Sequence, residues 1–299
     1  MAPKRSERRG GAATLLDRTL YRADNGASIV THYAVAVKPP PAIPSPAATL
    51  VLLRDRPGGG VECLLMRRHL KSKFAAGDFV FPGGKIEADD NPEDAVRWCR
   101  GLDVKDAARR LEIEAAPRTA LGFWIGAIRE TFEEAGLLLA VGADGGEVDV
   151  AAARFVEYRR ACQTDNRAFW SMIRAERLLL ATDRLVYFAH WITPEEQSLR
   201  FDTRFFAAPA PAGQRASGDD YEMTDLKWLT PPEAVDAQQR GEISLRNPTV
   251  KNLLLFDGVA DTTDALERLR DRPVTTIRPR IVMDGDRRTI LMPGDPGYF

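Results

Sequence analysis

The sequence predicts an α/β (α+β) fold in which a mixed β-sheet is sandwiched between helices, with helical insertions. Two observations support this. Short apolar or alternating segments bounded by Gly and Pro recur along the chain, as is typical of strands. Between them lie segments with apolar residues every three or four positions, as is typical of helices that pack against a sheet. The 299 residues, 44% of them hydrophobic, are sufficient for one elaborated domain.

The chain is expected to begin with a flexible tail at residues 1–26, followed by a single domain over residues 27–299. The tail is basic, but no hydrophobic signal core follows it. The predicted strands are β-branched or apolar and have turn residues between them. They span 28–38, 47–54, 61–67, 79–82, 185–193, 201–207 and 226–229, with a terminal hairpin at 281–283 and 289–292. A stiff proline-rich linker is expected between the first two, over 39–46.

Helical patterns occupy much of the rest. A helical insert is expected over about 91–120, because Asn91-Pro92 is a favourable helix start. Its second helix, 104–113, is expected to end before Pro117. A helix at 127–139 and a helical segment at about 150–180 follow. The remaining predicted helices are 231–239, 247–256 and 261–269.

Composition argues against several functional classes. The formal net charge is −1 and the pI is about 6.4, so we expect no nucleic-acid or anionic-membrane partner. No apolar run reaches the length of a membrane span. Cys63, Cys99 and Cys162 are odd in number and widely spaced, which predicts free thiols in a reducing, cytoplasmic location.

Three carboxylates mark the candidate chemistry. Glu130, Glu133 and Glu134 fall at helical spacing and project from one side of the predicted helix. Such neighbours repel one another by a few tenths of a kcal/mol per pair, roughly, unless a cation lies among them. Clustered hard oxygen ligands suit Mg²⁺ or Mn²⁺. Arg129 beside them could orient one carboxylate through a bidentate bond.

A glycine turn precedes this helix in the sequence. Phe81-Pro82-Gly83-Gly84 follows an apolar strand, and its backbone can approach a ligand closely. Alone, such a turn is common, and so is an acidic surface helix. Together they indicate a divalent metal that holds a phosphate chain.

The two motifs resemble the box of the Nudix hydrolases: Gly, five residues, Glu, seven residues, Arg-Glu, apolar, any residue, Glu-Glu, any residue, Gly, apolar. Gly84 and the segment from Arg129 to Leu137 match, except that Thr131 replaces an apolar residue. Asp90 stands where the box has Glu. Between Gly84 and Arg129 lie 44 residues, 31 more than in the family pattern. The resemblance implies a Nudix-type fold with an insert inside the box.

Residues upstream of the box resemble the coenzyme A diphosphatase signature. They are the segment from Leu64 to Arg68, then Gly77 and the turn from Phe81 to Gly84, with Met66, His69 and Phe79 departing from the pattern. The insert and the segments 190–194 and 200–206 are similar to the peroxisomal coenzyme A diphosphatase branch.

This resemblance implies metal-dependent hydrolysis of a diphosphate linkage in coenzyme A or acyl-coenzyme A, giving 3′,5′-ADP and a phosphopantetheine product. The implied metal ligands are Glu130, Glu133, Glu134 and the Gly84 carbonyl. Arg129 would orient a ligand, and substrate would bind at Arg68, Gly83 and Gly84. The general base is expected at Glu222, six residues before Trp228, with Asp219 and Asp220 as competitors.

Two alternative functions stay open on the sequence. One is a Nudix hydrolase of another nucleoside diphosphate derivative, such as an ADP-sugar, NADH or a dinucleotide. The other is a non-catalytic nucleotide-binding module, although such a module would be expected to have lost box carboxylates. The insert also suggests a surface for a homodimer.

Overall fold

A computed structural model describes residues 40–72, 75–218 and 222–298. The expected tail at 1–26 and the expected strand at 28–38 therefore lie outside the described residues. From Pro41 onward the chain packs into one compact unit. Its strands are β1 Ser45–Asp55, β2 Val61–Arg68, β3 Phe79–Val80, β4 Gly83–Lys85, β5 Ala140–Val141, β6 Leu179–Leu180, β7 Val186–Ile192, β8 Phe201–Pro209, β9 Met223–Leu229, β10 Thr276–Ile277, β11 Arg280–Asp284 and β12 Arg287–Leu291.

Seven α-helices accompany these strands within the described residues. They are α1 Val104–Leu111, α2 Pro117–Ala135, α3 Ala153–Cys162, α4 Arg167–Ala175, α5 Pro231–Gln239, α6 Asn247–Leu253 and α7 Thr262–Arg270. Single 3₁₀ turns lie at Ala88–Asp90, Ala95–Trp98, Thr182–Arg184 and Leu254–Phe256. The expected helical segment at 150–180 is thus two helices followed by the short strand β6.

The main sheet is mixed, as predicted. Its strand order is β10-β7-β8-β1-β2-β3, with β4 pairing with β1 and β9 with β2. Strand β1 runs parallel to β8 from the Ser45–Phe201 pair to the Leu53–Pro209 pair. Strand β1 is antiparallel to both β2 and β4. Helices cover both faces of this strand, which is why β1 is almost continuously apolar.

Alternation along β1 divides the interior into two cores. Leu50 and Leu52 face the side on which α2 packs with Trp124 and Phe132. Val51 and Leu53 face the opposite side, where α5, α6 and α7 pack. Because successive residues of a strand point to opposite faces, one strand serves both cores, and the predicted sandwich of helices around a sheet is confirmed.

The prediction for Pro117 was wrong. This residue does not end the second helix of the insert but begins α2, at a position where a helix needs no N–H donor. Helix α1 ends instead at Leu111, and Glu112 takes a left-handed conformation with φ of 57°. The helix that carries the carboxylates was therefore predicted too short at its start. Its first half is buried almost all round, so no amphipathic period marks it.

The other end of α2 was predicted too long. The helix stops at Ala135, because Gly136 has a φ of 69° and caps it in the left-handed region. Within residues 40–72, 75–218 and 222–298, no helix is both long and apolar enough to cross a membrane.

Candidate active site

The glycine turn and the carboxylate helix meet despite the insert between them. Strand β4 pairs with β1 through Ala48 and Gly84, and α2 packs beneath this corner. A Cβ on Gly84 would lie 2.5 Å from an oxygen of Glu130, and one on Gly83 would collide with the Ala48 carbonyl. Gly83 also has a φ of 155°, which L side chains rarely adopt. The corner therefore needs glycine so that helix and turn can approach.

A buried ion pair locks the insert to this helix. The Nε of Arg129 donates to Oδ1 of Asp90 at 2.6 Å, and its Nη2 donates to Oδ2 at 3.0 Å. Arg129 is 2% exposed and Asp90 is 1% exposed. This bidentate pair gives geometric specificity as well as energy. Asp90 thus occupies the place of the box glutamate, and the extra residues loop out after it.

Arg129 also holds two of the three carboxylates. Its Nη1 donates to Glu130 and to Glu133, each at 3.0 Å, and its Nη2 donates to the Lys85 carbonyl at 3.0 Å. The sequence predicted that it would orient one carboxylate. Because its guanidinium is planar, these bonds fix the carboxylates relative to the turn.

The third carboxylate reaches the turn directly. The Gly83 N–H donates to Oε2 of Glu134 at 2.9 Å, and Glu134 is 4% exposed. Gly83 therefore allows the helix to come close to the turn. Its N–H is already hydrogen-bonded within the protein.

Burial and crowding make these groups poor anions on their own. Burial raises the pKa of Glu130 to about 7 and the pKa of Glu133 to about 8, against the opposing effect of Arg129. Burial and the neighbouring Glu130 also hold the pKa of Glu134 well above its usual range. One arginine cannot neutralise three clustered carboxylates, so without a cation they tend to hold protons, and a bound cation would favour their ionised forms.

The residues fit a divalent cation in type and burial. All the candidate ligand atoms are hard oxygens, Oε1 of Glu133 is buried without a hydrogen-bond partner, and the missing side chain of Gly84 lets the Glu130 carboxylate lie directly against the turn. In the described part of the chain, no group of three acidic, histidine or cysteine side chains is already arranged to hold a metal. The reason is visible in the hydrogen bonds: Glu130 and Glu133 turn to Arg129, and Glu134 turns to Gly83.

A cleft of about 1620 Å³ opens over this cluster. All the predicted site residues line it: Arg68, Gly83, Gly84, Arg129, Glu130, Glu133, Glu134 and Glu222. Its walls also include aromatic and basic side chains, among them Phe81, Trp191, Phe205, Arg246 and Arg288. The cleft is large enough for a nucleotide-sized ligand.

Arg68 and Glu222 face one another at the cleft. The Nη2 of Arg68 lies 4.0 Å from Oε2 of Glu222, and the Glu222 side chain is 63% exposed. The Glu222 carbonyl accepts a bond of 2.7 Å from the His69 N–H, which ties the start of β9 to the end of β2. The competing Asp219 and Asp220 lie outside the described residues.

Sequence reasoning placed Asp90 at a box position but gave it no role. It also missed Arg159 of α3 and Gln163, which directly follows α3; both side chains donate to backbone carbonyls at the end of α2. The box pattern contained the signal for Asp90. The sequence contained no signal for Arg159 and Gln163, because hydrogen bonds from a side chain to a distant backbone group leave no local pattern.

Comparisons with known proteins identify the family of the chain. The NUDT19 Nudix domain family matches residues 45–255, more than half of the chain. The Xenopus laevis protein "Acyl-coenzyme A diphosphatase NUDT19" is 31% identical over 218 residues, which cover 62% of this chain and 57% of that protein. Its Homo sapiens counterpart is 25% identical over 282 residues, covering 82% and 74%.

A solved structure shares the fold. The Nudix hydrolase from Alicyclobacillus acidocaldarius superposes with a TM-score of 0.64 at 24% identity, covering 77% of this chain and 99% of that one. The family match includes both the glycine corner and the carboxylate helix. The chain therefore belongs to the NUDT19 Nudix domain family of Nudix hydrolases.

Proposed function

We propose that the chain cleaves the diphosphate linkage of coenzyme A or acyl-coenzyme A, giving 3′,5′-ADP and a phosphopantetheine product. The observation that carries the proposal is the meeting of Glu130, Glu133 and Glu134 with the Gly83–Gly84 corner at the base of one cleft. The names of the relatives, acyl-coenzyme A diphosphatases, support the substrate.

A divalent cation, Mg²⁺ or Mn²⁺, would be held by Glu130, Glu133 and Glu134, with the Gly84 carbonyl as a further ligand. When bound, it supplies neutralisation of phosphate charge and a more acidic attacking water. Arg129 does not need to touch substrate. It keeps two carboxylates facing the cleft while Asp90 fixes its own position.

Arg68 is the proposed phosphate contact of the protein. Its side chain is largely buried and lines the cleft, and its Nε is buried without a hydrogen-bond partner. A guanidinium presents a planar fork of donors that matches phosphate oxygens. Gly83 and Gly84 are the proposed backbone contacts of the substrate and line the same cleft, with the Gly83 N–H already bound to Glu134.

Glu222 is the proposed general base. Its carboxylate lines the same cleft as the three helix carboxylates, and it is much more exposed than they are. A general base must reach the attacking water beside the phosphorus and accept its proton. Glu222 can do this because it is not one of the proposed metal ligands.

A turnover screen tests this function. The full chain is incubated with Mg²⁺ or Mn²⁺ and, separately, with coenzyme A, an acyl-coenzyme A, NADH, an ADP-sugar and a dinucleotide. Mass spectrometry of the products should show 3′,5′-ADP from the coenzyme A substrates. Faster turnover of another nucleotide would reassign the substrate. Absence of turnover with every compound and both metals would favour a binding module.

We also propose a reducing, cytoplasmic location. The three thiols are free; Cys63 and Cys162 are buried and Cys99 is half-buried. Localisation of a fluorescent fusion checks this placement, and an oxidising compartment would contradict it.

We propose in addition that the insert at 91–120 mediates a homodimer. It carries Val96, which is 40% exposed. Light scattering at micromolar concentration should give the mass of two chains, and a monomeric mass would refute this assembly.

A further inference from the structure

The end of the carboxylate helix is held by other parts of the chain. The last carbonyls of a helix have no intrahelical partner. Here the Glu133 carbonyl accepts from Nε of Arg159 and Nε2 of Gln163, both at 3.0 Å. The Glu134 carbonyl accepts from Nη2 of Arg159 at 2.6 Å. Two of the three proposed metal ligands thus have their own backbone bound by one arginine of α3.

The same arginine binds the loop that leads to Glu222. Its Nη1 donates to Oγ of Ser217 at 2.8 Å, and its Nη2 donates to the Ser217 carbonyl at 2.9 Å. The Ser217 N–H in turn donates to the Ala135 carbonyl at 2.9 Å. One guanidinium therefore joins the metal-ligand helix to the segment five residues before the proposed base.

A second contact fixes this loop earlier in its course. The Gln214 amide accepts from the Leu138 N–H at 2.8 Å and donates to the Leu138 carbonyl at 3.1 Å. We call residues 210–218 the base loop. It is attached at Gln214 and at Ser217, and a Cβ on Gly218 would lie 2.8 Å from the Met223 carbonyl, so the end of the loop packs against the residue that follows Glu222.

The space at the end of α2 that Arg159 occupies fits a guanidinium group. A Cβ on Gly136 would lie 2.8 Å from Nη1 of Arg159, so the glycine that ends α2 also leaves room for this group. A lysine could offset the negative end of the helix dipole equally well. Only a planar fork can donate to carbonyls of Glu133 and Glu134 and to Ser217 together.

We propose that Arg159 is a positioning residue that sets the distance between the base Glu222 and the carboxylates of α2. This inference rests on the proposed function. It assigns Arg159 no contact with substrate, so its loss should slow the chemical step and leave substrate binding largely intact. Small misplacements of catalytic groups cost about 10²-fold in rate.

The test compares matched variants on coenzyme A. Arg159→Met removes the donors and keeps the apolar stem, whereas Arg159→Lys keeps the charge. Arg154→Met is the control, because Arg154 lies on the same helix and pairs with Glu176 instead. We expect Arg159→Met to lower kcat about 10- to 100-fold with little change in KM. Arg159→Lys should have a kcat between those of Arg159→Met and the wild type, and Arg154→Met should have the kcat of the wild type.

A double-mutant cycle separates positioning from general stability. If Arg159 acts through Glu222, Arg159→Met should lower kcat hardly further in a Glu222→Gln background. Three results would each overturn the inference. The first is a double variant whose loss of kcat equals the product of the two single losses. The others are a wild-type kcat in Glu222→Gln and a wild-type kcat in Arg159→Met. Thermal melting of each variant checks folding, and Arg159→Lys serves if Arg159→Met does not fold. A wild-type chain that turns over no substrate would instead refute the proposed function.

Discussion

At the scale of single residues, the site depends on one arginine that is almost completely buried. Arg129 binds Asp90, Glu130, Glu133 and the Lys85 carbonyl at once. A buried charge is tolerated only when it is paired and hydrogen-bonded. The pairing therefore explains both why Arg129 can lie inside the protein and why the carboxylates point where they do.

Asp90→Asn should destabilise the protein by about 3–5 kcal/mol, because it leaves the buried guanidinium short of a counter-ion. Urea unfolding measures the change in free energy. The neighbouring Asp89→Asn alters an exposed side chain and should have almost no effect. Equal stability of the two variants would show that the Asp90–Arg129 pair does not hold the insert.

Glu134→Gln should fold normally and lose turnover by orders of magnitude, because the amide is a weak ligand for a hard cation. Its hydrogen bond from Gly83 can persist through the amide oxygen. Glu114→Gln changes an exposed carboxylate outside the cleft and is the matched control. Near-wild-type rates in Glu134→Gln would refute the role of Glu134 as a metal ligand.

The metal-free protein should lose stability as the pH rises from about 5 to about 8. The folded pKa values of Glu130 and Glu133, raised by burial to about 7 and about 8, exceed those of the unfolded chain. The folded state therefore holds more protons in this range, and ionisation of the unfolded chain favours unfolding. Thermal melting against pH with a chelator measures the loss, and added Mg²⁺ or Mn²⁺ should remove it. A flat profile without metal would contradict the charge crowding.

At the scale of elements, the corner between β4 and α2 is the part on which the site depends most. The acidic helical spacing and the Pro-Gly-Gly turn predicted that a helix and a turn form this corner, although both ends of the helix were misplaced. The start of α2 was not predictable from amphipathic spacing, because residues 120–129 are buried on every side. The bonds from Arg159 to the end of α2 were unpredictable for another reason: they join residues 25 and 26 positions apart through side chain to backbone contacts.

Gly84→Ala should fold but should need more metal for half-maximal activity, because its Cβ would displace the Glu130 carboxylate. Gly83→Ala should be strongly destabilised, since its φ of 155° and the nearby Ala48 carbonyl leave no space for a methyl group. Gly145→Ala, at a φ of 82° with no atom within 4 Å, controls for the effect of a positive φ alone. Unchanged metal dependence in Gly84→Ala would show that the corner is not part of the metal site.

At the scale of the whole molecule, the cleft is built from distant parts of the chain. Sequence patterns predicted the mixed sheet, its helices on both faces and the C-terminal hairpin. They did not predict that this hairpin, which lies beyond the matched family range of 45–255, contributes Arg288 and Ile290 to the cleft. Contacts between segments so far apart depend on how the whole chain packs, and local sequence periodicity carries no information on that packing.

Arg288→Gln should raise KM for coenzyme A several-fold and leave kcat unchanged, because a rim cation contributes to binding an anionic substrate more than to the chemical step. Arg287→Gln is the control, since neighbouring residues of a strand point to opposite faces. Steady-state kinetics at several salt concentrations check the effect. Equal KM values in both variants would place the hairpin outside substrate recognition.

The most direct test of the central claim is the position of a bound cation. Anomalous scattering from crystals of the protein soaked in Mn²⁺ should show a peak among the carboxylates of Glu130, Glu133 and Glu134, next to Gly84. The peak should disappear in Glu134→Gln. A peak elsewhere, or none in the wild-type protein at saturating Mn²⁺, would contradict the assignment of this corner as the metal site of a diphosphatase.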